Sequence, residues 1–326
     1  MKHEGSGDFL MLHHLLNISD LTRRELESIL LVADQIAAKP SHFGEAAKGK
    51  ILATLFFEPS TRTRLSFESA MLRLGGNVIG FSDMKASSAS KGETIEDTSS
   101  VVSCYCDVMA VRHPISFTPH KMAAVATVPI INAGDGANEH PTQTLTDLAT
   151  INQRFGRISN LTIGLCGDLK YGRTVHSLAK MLARYPGNRF VLIAPDELAM
   201  PSEIIEIFDS ERIPYVVNPS LEASIPELDI LYMTRIQRER FPDPADYEKL
   251  RGVYILDSEK MLSASKEMIV LHPLPRVDEI STEIDSDPRA WYFRQAQMGV
   301  YVRMALMMHL LGISVQPDVR VVRSLA

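Results

Sequence analysis

The sequence predicts an α/β protein of two domains, each a parallel sheet flanked by helices, with a bridging helix and a C-terminal helix joining them. Three observations carry this. Short apolar segments recur in two series: Ile51 to Phe57, Val78 to Phe81, Asp107 to Arg112 and Val128 to Asn132, then Leu161 to Cys166, Arg189 to Ala194, Pro214 to Val217, Asp229 to Met233 and Met268 to Leu271. Helical patterns or polar loops separate them, as crossover connections between parallel strands require. At 326 residues the chain exceeds one ordinary core and suffices for two.

The first helix opens at Thr22-Arg23-Arg24-Glu25, a capping box, and continues as an apolar stripe of Leu26, Ile29, Leu30, Ala33 and Ala37. Strand Ile51 to Phe57 runs through Glu58-Pro59 to Ser60, which reads as an N-cap, with Phe67, Ala70, Met71 and Leu74 forming the stripe beyond. Bridging of the domains falls to His140-Pro141-Thr142-Gln143, where proline suits the first helical position and Leu145, Leu148 and Ala149 follow at helical spacing. The last helix has start signals at Asp287 and Pro288 and an end signal at Gly312. The domains expected are residues 1–139 and 140–290, with 291–326 forming a C-terminal helix that packs back on the first domain, plus a tail.

Composition narrows the class. An apolar fraction of 45% with 23% charged residues is ordinary for a globular chain. The N-terminus has no apolar signal core and no run approaches the ~20 residues a bilayer needs, so a cytoplasmic protein is expected. Cys104, Cys106 and Cys166 form no CxxC pair, which supports neither a zinc ribbon nor a disulfide framework. The net charge of −6 disfavours nucleic-acid binding, so any field that attracts an anion is local.

Ser60-Thr61-Arg62-Thr63-Arg64 is the clearest such place. A helix start offers unpaired N–H groups and the positive dipole end, and the hydroxyls and guanidinium add donors for a phosphate. The plainer alternative is a capped helix with solvated arginines. Arg62 and Arg64 lie about 200° apart on a helix, so only one of them faces a ligand; Arg62 is the candidate. No GxxxxGK[ST] sequence occurs, and Gly167-Asp168-Leu169-Lys170-Tyr171-Gly172-Arg173 lacks the inner glycine of a dinucleotide fingerprint although Asp196 follows the next strand. It reads equally as a tight strand-to-helix turn. Arg112-His113, His140 with Gln143, Arg173, and Arg235 with Gln237 all fall at carboxyl ends of strands or at helix starts, where open α/β sheets bind ligands. The polar segment Asp83 to Glu93 reads by itself as a solvated loop, with Lys91 its notable charge. His272-Pro273-Leu274-Pro275-Arg276 is a proline-constrained turn.

Together these motifs resemble the transcarbamoylase family. Ser60 to Arg64 is similar to its carbamoyl-phosphate motif and His140 to Gln143 to its second signature. Ser90-Lys91-Gly92-Glu93-Thr94, Asp168 to Thr174, Tyr232-Met233-Thr234-Arg235 and His272 to Arg276 resemble the enterobacterial-like catalytic chains that use aspartate. The likeness runs from about His14 to Gly312. It implies a carbamoyl-phosphate domain at 1–139, an aspartate domain at 140–290, and transfer of a carbamoyl group to aspartate early in pyrimidine biosynthesis, with ornithine the alternative acceptor. It further implies that Ser60, Thr61, Arg62 and Thr63 hold phosphate, with Arg112 bridging phosphate and carbonyl oxygen. His140 and Gln143 meet the carbamoyl group, backbone carbonyls of Leu274 and Pro275 orient the nitrogens, and Arg173, Arg235 and Gln237 take the aspartate carboxylates. Glu58 organises arginines across the domains, and Ser87 and Lys91 reach a neighbouring subunit's site, which makes a homotrimer with shared sites. No metal or cofactor is implied for this chain; a separate zinc-containing regulatory chain is.

Overall fold

The computed structural model describes residues 14–83, 92–238, 241 and 243–314. Contacts divide these into two units: the described residues up to Gly136 together with those from Arg303 onward, and Ala137–Val302.

The first unit contains α1 (Arg23–Ala38), β1 (Ile51–Phe56), α2 (Thr61–Arg73), β2 (Asn77–Phe81), α3 (Ile95–Ser103), β3 (Val108–His113), α4 (Thr118–Ala123) and β4 (Ile130–Asp135). The capping box at Thr22 forms as expected, its hydroxyl accepting from the Glu25 N–H and the Glu25 carboxylate accepting from the Thr22 N–H. The four strands pair in parallel in the order β2-β1-β3-β4. Inner strands β1 and β3 are buried almost throughout, which is why they read as continuous apolar runs. Ala53, Leu55, Met109, Val111, Met122 and Ile130 form the core on one face.

The second unit contains α5 (Pro141–Phe155), β5 (Thr162–Cys166), α6 (Arg173–Ala183), β6 (Arg189–Ile193), α7 (Ser202–Ser210), β7 (Tyr215–Val217), α8 (Leu221–Ser224), β8 (Ile230–Met233), α9 (Pro244–Leu250), α10 (Ser258–Met261) and β9 (Ile269–Leu271). Its parallel order is β7-β6-β5-β8-β9. Pro141 opens α5 at its first turn, and Gly156, at φ 67°, closes it with its N–H on the Asn152 carbonyl. The C-terminal helix, α11 (Tyr292–Leu310), begins next to the expected segment bound of 291 but beyond the start signals at Asp287 and Pro288. Asp287 does not cap it: the Asp287 carboxylate accepts the Arg289 N–H at 2.8 Å and pairs with the Arg289 guanidinium, making a separate turn.

Both sheets are registered by the same device at their amino ends. Asp107, just before β3, exchanges hydrogen bonds with Ile51 at the start of β1: its Oδ2 accepts the Ile51 N–H at 2.9 Å and its own N–H reaches the Ile51 carbonyl. Asp229, just before β8, does the same with Thr162 at the start of β5, at 2.8 Å. Each aspartate pins the pair of strands at which its sheet reverses direction of winding. At the opposite ends of those strands lie the two crevices where open parallel sheets bind ligands.

Candidate active site

In the first unit that crevice is made by the ends of β1 and β3. Phe57 donates its N–H to the Arg112 carbonyl at 2.9 Å, and beyond this link the chains part, one to Glu58-Pro59-Ser60 and one to His113. Ser60 occupies the N-cap position of α2 but its side chain makes no capping hydrogen bond, contrary to the simple capping expectation. The first intrahelical bond runs from the Arg64 N–H to the Ser60 carbonyl, so the N–H groups of the preceding turn have no partner within the helix. That leaves an anion-seeking end flanked by Thr61, Arg62 and Thr63.

The arginines of this motif differ in employment. Arg64 pairs with Glu68 one turn along at 2.6 Å, and Glu68 also accepts the Thr54 hydroxyl, so Arg64 ties α2 to β1. Arg112 is half-buried, with one terminal nitrogen on Glu58 at 2.6 Å and the other donating to the Ala133 carbonyl at 3.3 Å. Its Nε is buried with no protein partner. Burial pulls the guanidinium pKa down, and the charge and hydrogen bond of Glu58 oppose that pull. Arg112 remains a cation, because a guanidinium is not deprotonated in proteins. Neighbouring His113 is a neutral, structural residue. Its Nδ1 accepts the Ile115 N–H at 3.0 Å, its ring packs on Phe57, and burial lowers its pKa.

In the second unit the corresponding crevice lies between the ends of β5 and β8. Thr234 donates its N–H to the Cys166 carbonyl at 2.8 Å, and its hydroxyl accepts the Asp168 N–H at 2.9 Å. Gly167 passes at φ 111° so close to Thr234 that a Cβ there would meet its carbonyl oxygen at 2.3 Å. Asp168 is fully buried and accepts the Tyr171 N–H at 2.9 Å, which shapes the turn that delivers Arg173 to the first position of α6. Segment 167–173 is thus the tight strand-to-helix turn that its sequence also allowed. Arg235 follows Thr234, and Gln237 donates to the Tyr171 carbonyl at 3.4 Å, linking the two sides of the crevice.

The turn after β9 completes this unit's set. His272 is almost fully buried; its Nδ1 accepts the Leu274 N–H at 2.7 Å, so its proton sits on Nε2, 2.8 Å from Glu279. Burial lowers the His272 pKa, Glu279 opposes this, and the nearby Arg276 and Arg235 add to the lowering. For Glu279, burial alone would raise the pKa, but the His272 hydrogen bond and backbone N–H groups bring it below the usual carboxylate value. The pair is therefore neutral imidazole donating to carboxylate. Leu274 has φ 54° and its bond to Pro275 is cis. Arg276 closes the turn by a two-pronged pair with Asp285, and it also donates to the Tyr292 hydroxyl at 3.0 Å.

His140 stands at the N-cap position of α5 without a side-chain capping bond, and Gln143 donates its amide to Asp147 at 2.7 Å. Ser87 and Lys91 lie outside the described residues. The first unit thus gathers Ser60 to Thr63, Glu58 and Arg112; the second carries His140, Gln143, Arg173, Arg235, Gln237, Leu274 and Pro275. Glu58 engages Arg112 of its own unit. Sequence reasoning gave no role to Asp147, Tyr232, Glu279 or Gln295, all buried: Asp147 on α5, Tyr232 on β8, Gln295 on α11 and Glu279 in the turn after β9. For Asp147 the only local signal is a carboxylate four residues after Gln143 on a buried helical face.

Two family profiles match the chain: "Aspartate/ornithine carbamoyltransferase, carbamoyl-P binding domain" over residues 13–153 and "Aspartate/ornithine carbamoyltransferase, Asp/Orn binding domain" over residues 159–310. Aspartate carbamoyltransferase catalytic subunits of Clostridium kluyveri and Clostridium acetobutylicum are each 57% identical over 300 residues, covering 92% of this chain and 98% of the relative. The chain belongs to the aspartate carbamoyltransferase catalytic-subunit family. These relatives are clostridial, where the motif resemblance pointed to enterobacterial-like chains. Among solved structures, the catalytic subunit of M. jannaschii aspartate transcarbamoylase superposes with a TM-score of 0.87 at 46% identity, covering 92% of this chain and 98% of that one. The Trypanosoma cruzi aspartate transcarbamoylase bound to N-(phosphonacetyl)-L-aspartic acid gives 0.85 at 39% identity, covering 91% and 95%. The same T. cruzi enzyme is also known with carbamoyl phosphate and aspartate. The two-domain parallel-sheet architecture of the family is the one seen here.

Proposed function

We propose that this enzyme transfers the carbamoyl group of carbamoyl phosphate to the amine of L-aspartate, giving N-carbamoyl-L-aspartate and phosphate. The observation that carries the reading is that each sheet sets cationic residues at the crevice where its winding reverses: Arg62 and Arg112 in one, Arg173 and Arg235 in the other. Names and ligands of the relatives agree with it.

In this reading Ser60, Thr61, Arg62 and Thr63 hold the phosphate. Arg112, already oriented by Glu58, bridges the phosphate and the carbonyl oxygen. His140 and Gln143 meet the carbamoyl group, the carbonyls of Leu274 and Pro275 orient the nitrogens, and Arg173, Arg235 and Gln237 bind the carboxylates. The aspartate amine attacks the carbamoyl carbon, and negative charge develops on the former carbonyl oxygen, toward which Thr63, Arg112 and His140 donate. As that intermediate collapses the C–O bond to phosphate breaks, and the departing phosphate takes the amine proton. Such donors work by electrostatic preorganisation, and positioning two anions together supplies much of the rest.

A homotrimer with shared sites, to which Ser87 and Lys91 contribute, is part of the same proposal. It is supported by Leu65, Leu72 and Ile79, exposed on the adjoining α2 and β2, which a second copy would cover. Phosphate release from carbamoyl phosphate with aspartate or ornithine tests the reaction; turnover with ornithine alone overturns it. Mixing inactive Lys91→Ala and His140→Ala chains under subunit exchange tests sharing: recovered activity supports it, and none despite exchange refutes it. Copurification tests the zinc-bearing partner. Among the described residues no helix is long and apolar enough to cross a membrane.

A further inference from the structure

Asp147 is fully buried on α5, one turn beyond Gln143. Its Oδ1 accepts the Gln143 amide at 2.7 Å and the Gln295 amide at 2.6 Å, and its Oδ2 accepts the Tyr232 hydroxyl at 2.9 Å. Gln295 relays the contact, its Oε1 accepting the His272 N–H at 2.9 Å at the head of the proline turn. Tyr232 also hydrogen-bonds the side chain of Thr174, the residue after Arg173, and lies three residues before Arg235. One carboxylate therefore ties together the four segments of this unit that supply candidate groups: the start of α5, the start of α6, the end of β8 and the turn at His272.

Packing alone does not account for it. An apolar side chain would fill the same volume without the several kcal/mol of desolvation that burying a carboxylate costs. What a carboxylate adds is direction, because it only accepts. The Gln143 amide nitrogen must face Asp147, since turning the amide over would set its oxygen against the Asp147 Oδ1. This orientation turns the Gln143 carbonyl oxygen, an acceptor, away from Asp147, together with the one amide N–H that Asp147 does not take.

We propose that Asp147 is a positioning residue that selects the carbamoyl group, fixing Gln143 so that its carbonyl oxygen accepts from the carbamoyl NH2. The inference rests on the carbamoyl-transfer reading. It makes a distinction between two ligands that share a phosphate: carbamoyl phosphate has the NH2 donor, and acetyl phosphate has a methyl group in its place.

Steady-state kinetics of the full chain with aspartate, using acetyl phosphate as a competitor, reads this out. Asp147→Ala is expected to lower kcat roughly 10- to 100-fold, the usual effect of losing a residue that orients a contacting group. The KM for carbamoyl phosphate should rise about tenfold, as for one lost hydrogen bond, while the inhibition constant of acetyl phosphate stays within about twofold. If Asp147→Ala does not fold, Asp147→Asn is measured instead. One end of its side chain no longer accepts, so the same split appears at smaller size. Equal weakening of both acyl phosphates, or wild-type kinetics in the folded variant, overturns the role of Asp147 while leaving the reaction standing. A wild-type chain that does not carbamoylate aspartate overturns both.

Discussion

The two sheets are built alike at their amino ends and differently at their carboxyl ends. Asp107 and Asp229 perform the same stitch, each joining the two strands at which winding reverses. At the other end of those strands the first unit keeps its donors in reserve: Ser60 caps nothing with its side chain, and the Arg112 Nε has no protein partner. The second unit spends backbone donors on itself, with Tyr171 on Asp168, Asp168 on Thr234 and Leu274 on His272. The lesson is that one topological position serves two binding styles. In the proposed reading, a phosphate would meet a helix start and a charge already in place, whereas groups for a second substrate would project from turns whose shape is set by internal hydrogen bonds.

The sharpest way to break this comparison is at Arg112. Its replacement by alanine is expected to lower kcat about 10²- to 10³-fold, the range for one lost donor to a developing oxyanion. Phosphate-release kinetics check this, and a loss under tenfold would move the burden to the helix start. Gly167→Ala attacks the second unit through its turn. A Cβ 2.3 Å from the Thr234 carbonyl at φ 111° should cost about 1–3 kcal/mol, or more if the strands part. Denaturant melts should show Gly49→Ala, at φ 82° with nothing within 4 Å, costing less.

Next in size is a pH effect. His272 has its folded pKa below the ordinary 6.5, so the unfolded chain binds its proton first as pH falls. Its contribution is whole above about 6.5 and is lost progressively below, down to the folded pKa. Stability measured from pH 7.5 to 5 should fall with a component that His272→Asn abolishes. Arg64→Met marks the small end. Its partly exposed pair with Glu68 should be worth roughly 0–1 kcal/mol, and kcat should not change; a large kcat loss would show that Arg64, too, serves the ligand.

Much of the fold was legible because inner parallel strands are buried on both faces and therefore read as unbroken apolar runs, ending within a residue or two of where the sequence places them. Proline in the first turn of α5 was equally plain. The start of α11 was not, because Asp287 and Pro288 have the composition of a helix start but bind Arg289 in a turn of their own. Helical spacing already set Arg64 apart from Arg62, but its partner Glu68, like the Glu58 partner of Arg112, is identified only in three dimensions. Asp147 left only one local trace, its spacing of four residues from Gln143. Its partners Tyr232 and Gln295 lie 85 and 148 positions away, and no local pattern encodes a hydrogen bond across such distances.

If Arg112 serves the proposed reaction, its pair with Glu58 bears on product release. An unopposed half-buried guanidinium would grip inorganic phosphate as firmly as the phosphate of an incoming acyl donor, and a cycle would stall on its own product. A resident carboxylate 2.6 Å away takes up part of that attraction beforehand. In the proposed reaction, an anion that reached Arg112 would share it with Glu58 and would leave more easily for having shared it.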